Sequence, residues 1–293
     1  MFSKIKANII FENLFKRPNI DNAYKMVGPE DSWYDTITKV HNSLVEIQKN
    51  ESEKLQITTH DALTLKAVYY PCAGSNKTAI WIHGYTSHAE RESAFPMLFY
   101  RSLGYNVLIP YLRAHGISEG KYISFGALES LDMSAWVDLV NEKHPDGQIV
   151  IHGLSMGGGI ALDLAVKKLK NVKCLVIDAP SYSISGFFSN VAQHASPKNH
   201  EKIFHHLCQR FRREFDANVM DFDRIENIKQ GRYPLLLSAG SMEEQDEILL
   251  RIKDNNPMES TILILPGCNH GNGMYKQTEM YQRAIRAFLD QYC

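Results

Sequence analysis

The stretch QIVIHGLSMGGGIALDLA, Gln148 to Ala165, decides how this chain is read. An apolar, β-branched run stops at a serine, and a helix-forming run follows. Gly153 precedes that serine, and Gly157, Gly158 and Gly159 follow it. A strand that simply passes into a helix needs no such run. The surplus marks a sharp turn that another part of the chain approaches closely. Gly153-Leu154-Ser155-Met156-Gly157 has the form G-x-S-x-G. Between a strand and a helix, this form holds the serine in a strained backbone conformation, with its hydroxyl above the sheet. Side chains at the two flanking positions would collide with neighbouring backbone. A serine hydroxyl is a weak nucleophile, so such a site also needs a base.

Outward from this turn the chain alternates. TAIWIHG, YNVLIP, QIVIHG, VKCLVIDAP, YPLLLSAG and STILILPG read as buried strands. Helices are expected over 90–103, ended by Gly104, and over 128–142, 156–169, EEQDEILLRIKD and TEMYQRAIRAFLDQY. Short apolar runs alternating with helices imply a mostly parallel sheet covered on both faces. KLQITTHDALTLKAVYYP, broken at Asp61-Ala62, reads as a hairpin. Residues 1–50 read as a helical leader, in which Ile5, Ile9, Phe11, Leu14 and Phe15 could share one face. The rhythm breaks over 181–232, which has aromatic and helical character and no clear strand. An insertion this late in such a sheet sits near the carboxyl ends of the strands, where ligands bind. It is expected to cap a site within a domain running from 51 to 293.

Composition narrows the function. The 293 residues carry a formal net charge of −1, which gives no field for nucleic acid or anionic lipid. The five cysteines are scattered and make no C-x-x-C, so neither a zinc site nor a disulfide framework is indicated. A reducing cytoplasm is the simplest compartment. The N-terminus lacks the apolar core of a signal peptide, and stable membrane insertion is not expected. His200, His205 and His206 match no metal-binding spacing. Phe187, Phe188, Phe204, Phe211 and Phe215 either line a pocket or form the core of the cap. Arg210, Arg212 and Arg213 read as a solvated face.

Four motifs together resemble the α/β-hydrolase superfamily, in its esterase and serine-peptidase-like branch, from about Lys54 to Tyr292. They are the G-x-S-x-G turn, HGYTSH at 83–88, RAHGISEG at 113–120 and PGCNHGNG at 266–273. In the second-last, Ala114 stands where the family has glycine. The resemblance implies an α/β-hydrolase fold with a helical cap insertion, and the chain order nucleophile, acid, histidine. Ser155 would be the nucleophile and His270 the base. The backbone N–H groups of Tyr85 and Met156 would form the oxyanion hole. His83, His115 and His152 also sit at strand ends and read as loop-building residues. The family's acid is the aspartate of G-x-x-D after the seventh strand. Here the segment is AGSMEEQDE, and the matching position is Glu243. Glu244, Asp246 and Asp178 are alternatives.

The leading expectation is a serine hydrolase of the carboxylesterase type. It would cleave small esters through an acyl-serine intermediate, with no cofactor and no metal. An aminopeptidase or amidase using the same residues is the alternative. A binding module with broken catalysis is another, motivated by the missing aspartate. The partner in each case is a small-molecule ester or amide, not nucleic acid, and the sequence leaves the oligomeric state open.

Overall fold

The β-branched apolar runs form a single eight-stranded sheet in the computed structural model, which describes residues 2–293. The strands are β1 (Glu53–Thr58), β2 (Thr64–Tyr70), β3 (Lys77–Ile82), β4 (Asn106–Pro110), β5 (Gln148–Leu154), β6 (Val172–Asp178), β7 (Leu235–Gly240) and β8 (Ser260–Leu265). Their order is β1-β2-β4-β3-β5-β6-β7-β8. β2 runs against both its neighbours, and every other pair is parallel. The β1–β2 hairpin turns at Ala62, which takes a positive φ of 63°.

Among the described residues the α-helices are α1 (Phe2–Phe15), α2 (Tyr34–Ile47), α3 (Ala89–Ser102), α4 (Glu129–Lys143), α5 (Met156–Ala165), α6 (Ile184–Ala195), α7 (His200–Phe215), α8 (Arg224–Asn227), α9 (Asp246–Asn255), α10 (Gly273–Lys276) and α11 (Thr278–Tyr292). Successive strand residues point to opposite faces. Ile80 and Ile151 therefore join Trp136 and Ile160 on one side of the sheet, while Trp81 and Val150 join Met97 and Phe288 on the other. β4 and β7 are buried along their whole length, as expected for strands covered on both faces. This is the α/β-hydrolase architecture.

Helix α5 stops at Ala165, earlier than the pattern over 156–169 suggests. The Ala165 carbonyl accepts the N–H of Arg232, and the Leu169 N–H goes to the Tyr233 hydroxyl. Those long-range bonds take the groups that another helical turn would have used.

Residues 181–232 form α6, α7 and α8 with short 3-10 turns between them. Their aromatics pack on the leader. Phe11 and Phe15 stack at 4.3 Å, and Phe15 meets Phe188 and Phe211 edge-on at 5.4 and 5.9 Å. Phe188, Phe211 and Phe215 thus belong to a core shared with α1. The buried face of α1 is Ala7, Phe11 and Phe15, spaced four residues apart, while Ile5 and Ile9 stay exposed. Arg210 does not lie on a solvated face: it pairs with Glu12 and sits over the Phe11 ring. The segment is pinned at its far end by Arg224, which is 1% exposed and forks onto Asp163 of α5 at 2.7 and 3.0 Å. Arg224 also donates to the carbonyls of Phe125 and Ser181.

β3 has β4 on one side and β5 on the other. The chain leaves β3 toward β4 and leaves β5 toward β6, in opposite directions, which opens a crevice at the carboxyl ends of β3 and β5.

Candidate active site

Ser155 stands between β5 and α5 with φ 59° and ψ −114°, a region that non-glycine residues avoid. Neighbours hold it there. Its N–H donates to Asp178 O at 2.9 Å, and its carbonyl accepts from Ser181 N and Gly159 N, each at 3.0 Å. The glycines on either side are steric necessities. A Cβ on Gly153 would lie 2.2 Å from Gly157 O, and one on Gly157 would lie 2.0 Å from Ile82 O. Both contacts are with backbone, which cannot give way.

Three side chains from three loops meet at this turn. His270, in the loop after β8, places Nε2 2.8 Å from Ser155 Oγ. Its Nδ1 lies 2.6 Å from Oε2 of Glu243, in the loop after β7. A carboxylate only accepts, so Nδ1 carries the proton and Nε2 is left to accept the serine O–H. The other Glu243 oxygen accepts the Gly240 N–H at 2.7 Å, while the Glu243 N–H returns to the Gly240 carbonyl at 3.0 Å. The side chain folds back across its own turn, which takes up the methylene by which glutamate exceeds aspartate. Glu243 is 5% exposed and the imidazole 52%. The hydrogen bond to Glu243 holds the His270 pKa above its ordinary 6.5; burial opposes this, and the charges of Glu243, Asp178 and Glu92 add to it.

The other carboxylates lie elsewhere. Glu244 is exposed, with φ 55°, and Asp246 opens α9 in solvent. Asp178 is buried and accepts from Ser238 Oγ and Tyr281 OH, each at 3.0 Å. Burial pushes its carboxyl up to about 6. Tyr281 OH also lies 2.9 Å from His152 Nε2, and Tyr100 OH 3.2 Å from His152 Nδ1. His152 is thereby fixed within the core, where burial pushes its pKa down to about 3.

The loop after β3 runs beside the serine. A Cβ on Gly84 would be 3.5 Å from Ser155 Cβ. His83 is fully buried: Leu112 N–H donates to its Nε2 at 3.2 Å, so Nδ1–H donates to Gly84 O at 2.9 Å. That carbonyl belongs to the same peptide plane as the Tyr85 N–H, and a trans peptide points the two in opposite directions. His83 therefore sets the direction of the Tyr85 N–H. Neither that group nor the Met156 N–H, at the start of α5, donates to a protein acceptor among the described residues. The Tyr85 side chain is anchored by its hydroxyl to Leu14 O at 2.8 Å.

The loop after β4 is braced separately. Arg113, 3% exposed, bridges Asp132 at 2.7 Å and Asp61 at 2.9 Å. His115 Nδ1 binds the Arg113 carbonyl at 3.0 Å. His200, His205 and His206 lie on the outer part of α7 and its start, away from the serine turn.

A cavity of 230 Å³ opens on Ser155 and His270. Its walls include Tyr85 and Ser87 from the β3 loop, and Ala23, Tyr24 and Trp33 from the leader. The leader's contribution carried no signal in the sequence, because its wall residues sit between α1 and α2, where no periodicity marks them. No residue of 181–232 lines this cavity.

Residues 74–242 match the serine aminopeptidase S33 hydrolase family. Protein bem46 of Schizosaccharomyces pombe is 25% identical over 205 residues, which cover 68% of this chain and 62% of that protein. A multifunctional-autoprocessing repeats-in-toxin of Vibrio cholerae is 32% identical over 152 residues, or 47% of this chain, and this chain spans only 3% of the toxin's length. Among solved structures, an esterase of Pyrococcus furiosus superimposes with a TM-score of 0.65 and 25% identity, covering 92% of this chain and 97% of the esterase. With the family match extending over more than half of its length, the chain belongs to the serine aminopeptidase S33 family of α/β-hydrolases.

Proposed function

We propose that the protein is a serine esterase that cleaves small carboxylic esters through an acyl-serine intermediate. The observation that carries this reading is the unbroken hydrogen-bonded series Ser155–His270–Glu243, at 2.8 and 2.6 Å. His270 Nε2 takes the serine proton as Oγ attacks the ester carbon. Glu243 holds the tautomer and stabilises the imidazolium that forms. The N–H groups of Tyr85 and Met156 receive the developing oxyanion, aided by the dipole of α5. Collapse expels the alcohol, which takes its proton from His270. Water, activated by the same nitrogen, then releases the acid. The likeness to the Pyrococcus furiosus esterase supports ester chemistry, and a cavity of 230 Å³ favours a short acyl group.

The test is labelling by a fluorophosphonate together with turnover of p-nitrophenyl esters of increasing acyl length. Both are expected in the native protein and both vanish in Ser155→Ala, with short chains preferred. A well-folded protein that neither labels nor turns over would overturn the proposal in favour of a non-catalytic binding role. The family's aminopeptidase description favours a second reading, cleavage of an aminoacyl amide by the same residues. A higher kcat/KM on aminoacyl amides than on esters would select it. No helix among the described residues is long and apolar enough to cross a membrane.

A further inference from the structure

We propose that Glu92 is a positioning residue for the oxyanion loop: its two carboxylate oxygens hold the Gly84 N–H, and this leaves the next amide, that of Tyr85, as the donor beside Ser155. The inference rests on the esterase reading above. Glu92 lies in the first turn of α3, where an acidic residue ordinarily faces solvent. It is instead 2% exposed and reaches the wall of the cavity that opens on Ser155. Oε1 lies 3.0 Å from Gly84 N and Oε2 3.1 Å. Oε1 also accepts the Trp81 indole N–H at 3.0 Å, and the Tyr24 hydroxyl lies 3.4 Å from Oε2.

A buried carboxylate with no lysine or arginine beside it is costly. Here its hydrogen-bond partners are neutral donors, and the one held by both oxygens is the backbone of the loop. The Gly84 N–H belongs to the peptide before Cα, and the Gly84 carbonyl, held by His83, belongs to the peptide after it. Glu92 and His83 together therefore fix both peptide planes at Gly84, and with them the path of the chain into Tyr85. The clamp also spans separate parts of the molecule. Tyr24 comes from the leader, and the Tyr275 hydroxyl, from α10 beyond the histidine loop, donates to the Glu92 main-chain carbonyl at 3.2 Å. Misplacing an oxyanion donor costs stabilisation only as charge develops, so the loss falls on kcat and not on substrate binding.

The charge has a second, measurable effect. Burial pushes the Glu92 carboxyl up to about 7, and the groups facing it are Ser87, Trp81, Tyr24 and Tyr275. When ionised it helps raise the pKa of His270, alongside Glu243 and Asp178.

The experiment compares the native protein, Glu92→Gln and Ser155→Ala on p-nitrophenyl acetate across pH, with thermal melts to establish folding. In Glu92→Gln, kcat is expected to fall about 10- to 100-fold while KM stays within about twofold. The acid limb of kcat/KM should move to lower pH, which loss of packing alone would not produce. A folded Glu92→Gln with unchanged kcat, or with a raised KM at unchanged kcat, overturns the inference. If that variant does not fold, Trp81→Phe removes one donor from the clamp and is read in the same way: a fall in kcat at constant KM supports the inference, and an unchanged kcat overturns it. A native protein without Ser155-dependent turnover defeats the esterase reading itself, whereas activity that is lost in Ser155→Ala and retained in Glu92→Gln defeats only this inference.

Discussion

At the scale of the residue, the site depends on backbone conformations that side chains resist. Ser155 at φ 59° is one, and Ala114 at φ 59° is another. The family places glycine at the second position. An alanine in the left-handed region costs roughly 1–2 kcal/mol, part of which is offset because alanine loses less freedom on folding than glycine would. The Ala114 N–H to Glu119 O bond at 2.8 Å and the Arg113 brace hold it in place. Glu243 is the other departure from the family pattern, and it carries a prediction. Replacing it with glutamine keeps the size and removes the charge; with the amide oxygen still accepting the Gly240 N–H, the amide NH2 is turned to His270 Nδ1 and imposes the wrong tautomer, so kcat/KM should fall by about 10³- to 10⁴-fold. Because the hydrogen bond to Glu243 is the largest cause of the raised His270 pKa, the native acid limb should lie above 6.5, with activity lost as pH falls through it. Any residual activity of Glu243→Gln should hold to lower pH than in the native protein. A pH–rate series on both proteins measures the shift. Ser155 and His270 were legible as a pair because glycines and strand ends surround them. Four carboxylates competed for the third position, because one-dimensional spacing does not show which way the turn after β7 folds its side chains.

At the scale of the element, strands and helices follow from the period of the apolar residues, and their ends do not. Helix α5 ends where Arg232 takes the Ala165 carbonyl, a contact made across 67 residues of chain that no local pattern records. The attachment of α6–α8 rests likewise on Arg224 and Asp163, two charged residues 61 positions apart. Burial raises the Asp163 pKa against the pull of Arg224. Removing only the arginine strands that carboxylate. Arg224→Ala should therefore cost about 3–5 kcal/mol in urea unfolding, while the paired replacement Arg224→Met with Asp163→Leu should cost much less. Equal losses in the single and double variants would show that the ion pair is not what holds the segment.

At the scale of the molecule, the family match stops at residue 242, one short of Glu243 and well short of His270. The first fifty residues lie outside it too, yet they supply part of the cavity wall. The leader was readable as helical but not as part of the site, since its partners come from distant stretches of chain. Its attachment can be measured. Phe15 is fully buried among Phe11, Phe125, Phe188 and Phe211. Phe15→Ala should lower stability by about 3–5 kcal/mol and shift the main unfolding transition. A separate early transition, with the main one unmoved, would mean that the leader melts on its own.

The seating of α1 on α7 also has a consequence in time. Asn8 meets Arg210 across 202 residues of chain. Ribosomes add about 5–20 residues per second, so the first helix waits about 10–40 s before its partner has been made. During that interval Phe11 and Phe15 lack Phe211 and Phe215, part of the aromatic surface that covers them. The cover of α1 is therefore completed only long after α1 itself is made, and a nascent chain halted before residue 200 would present part of its apolar face to the chaperones around it.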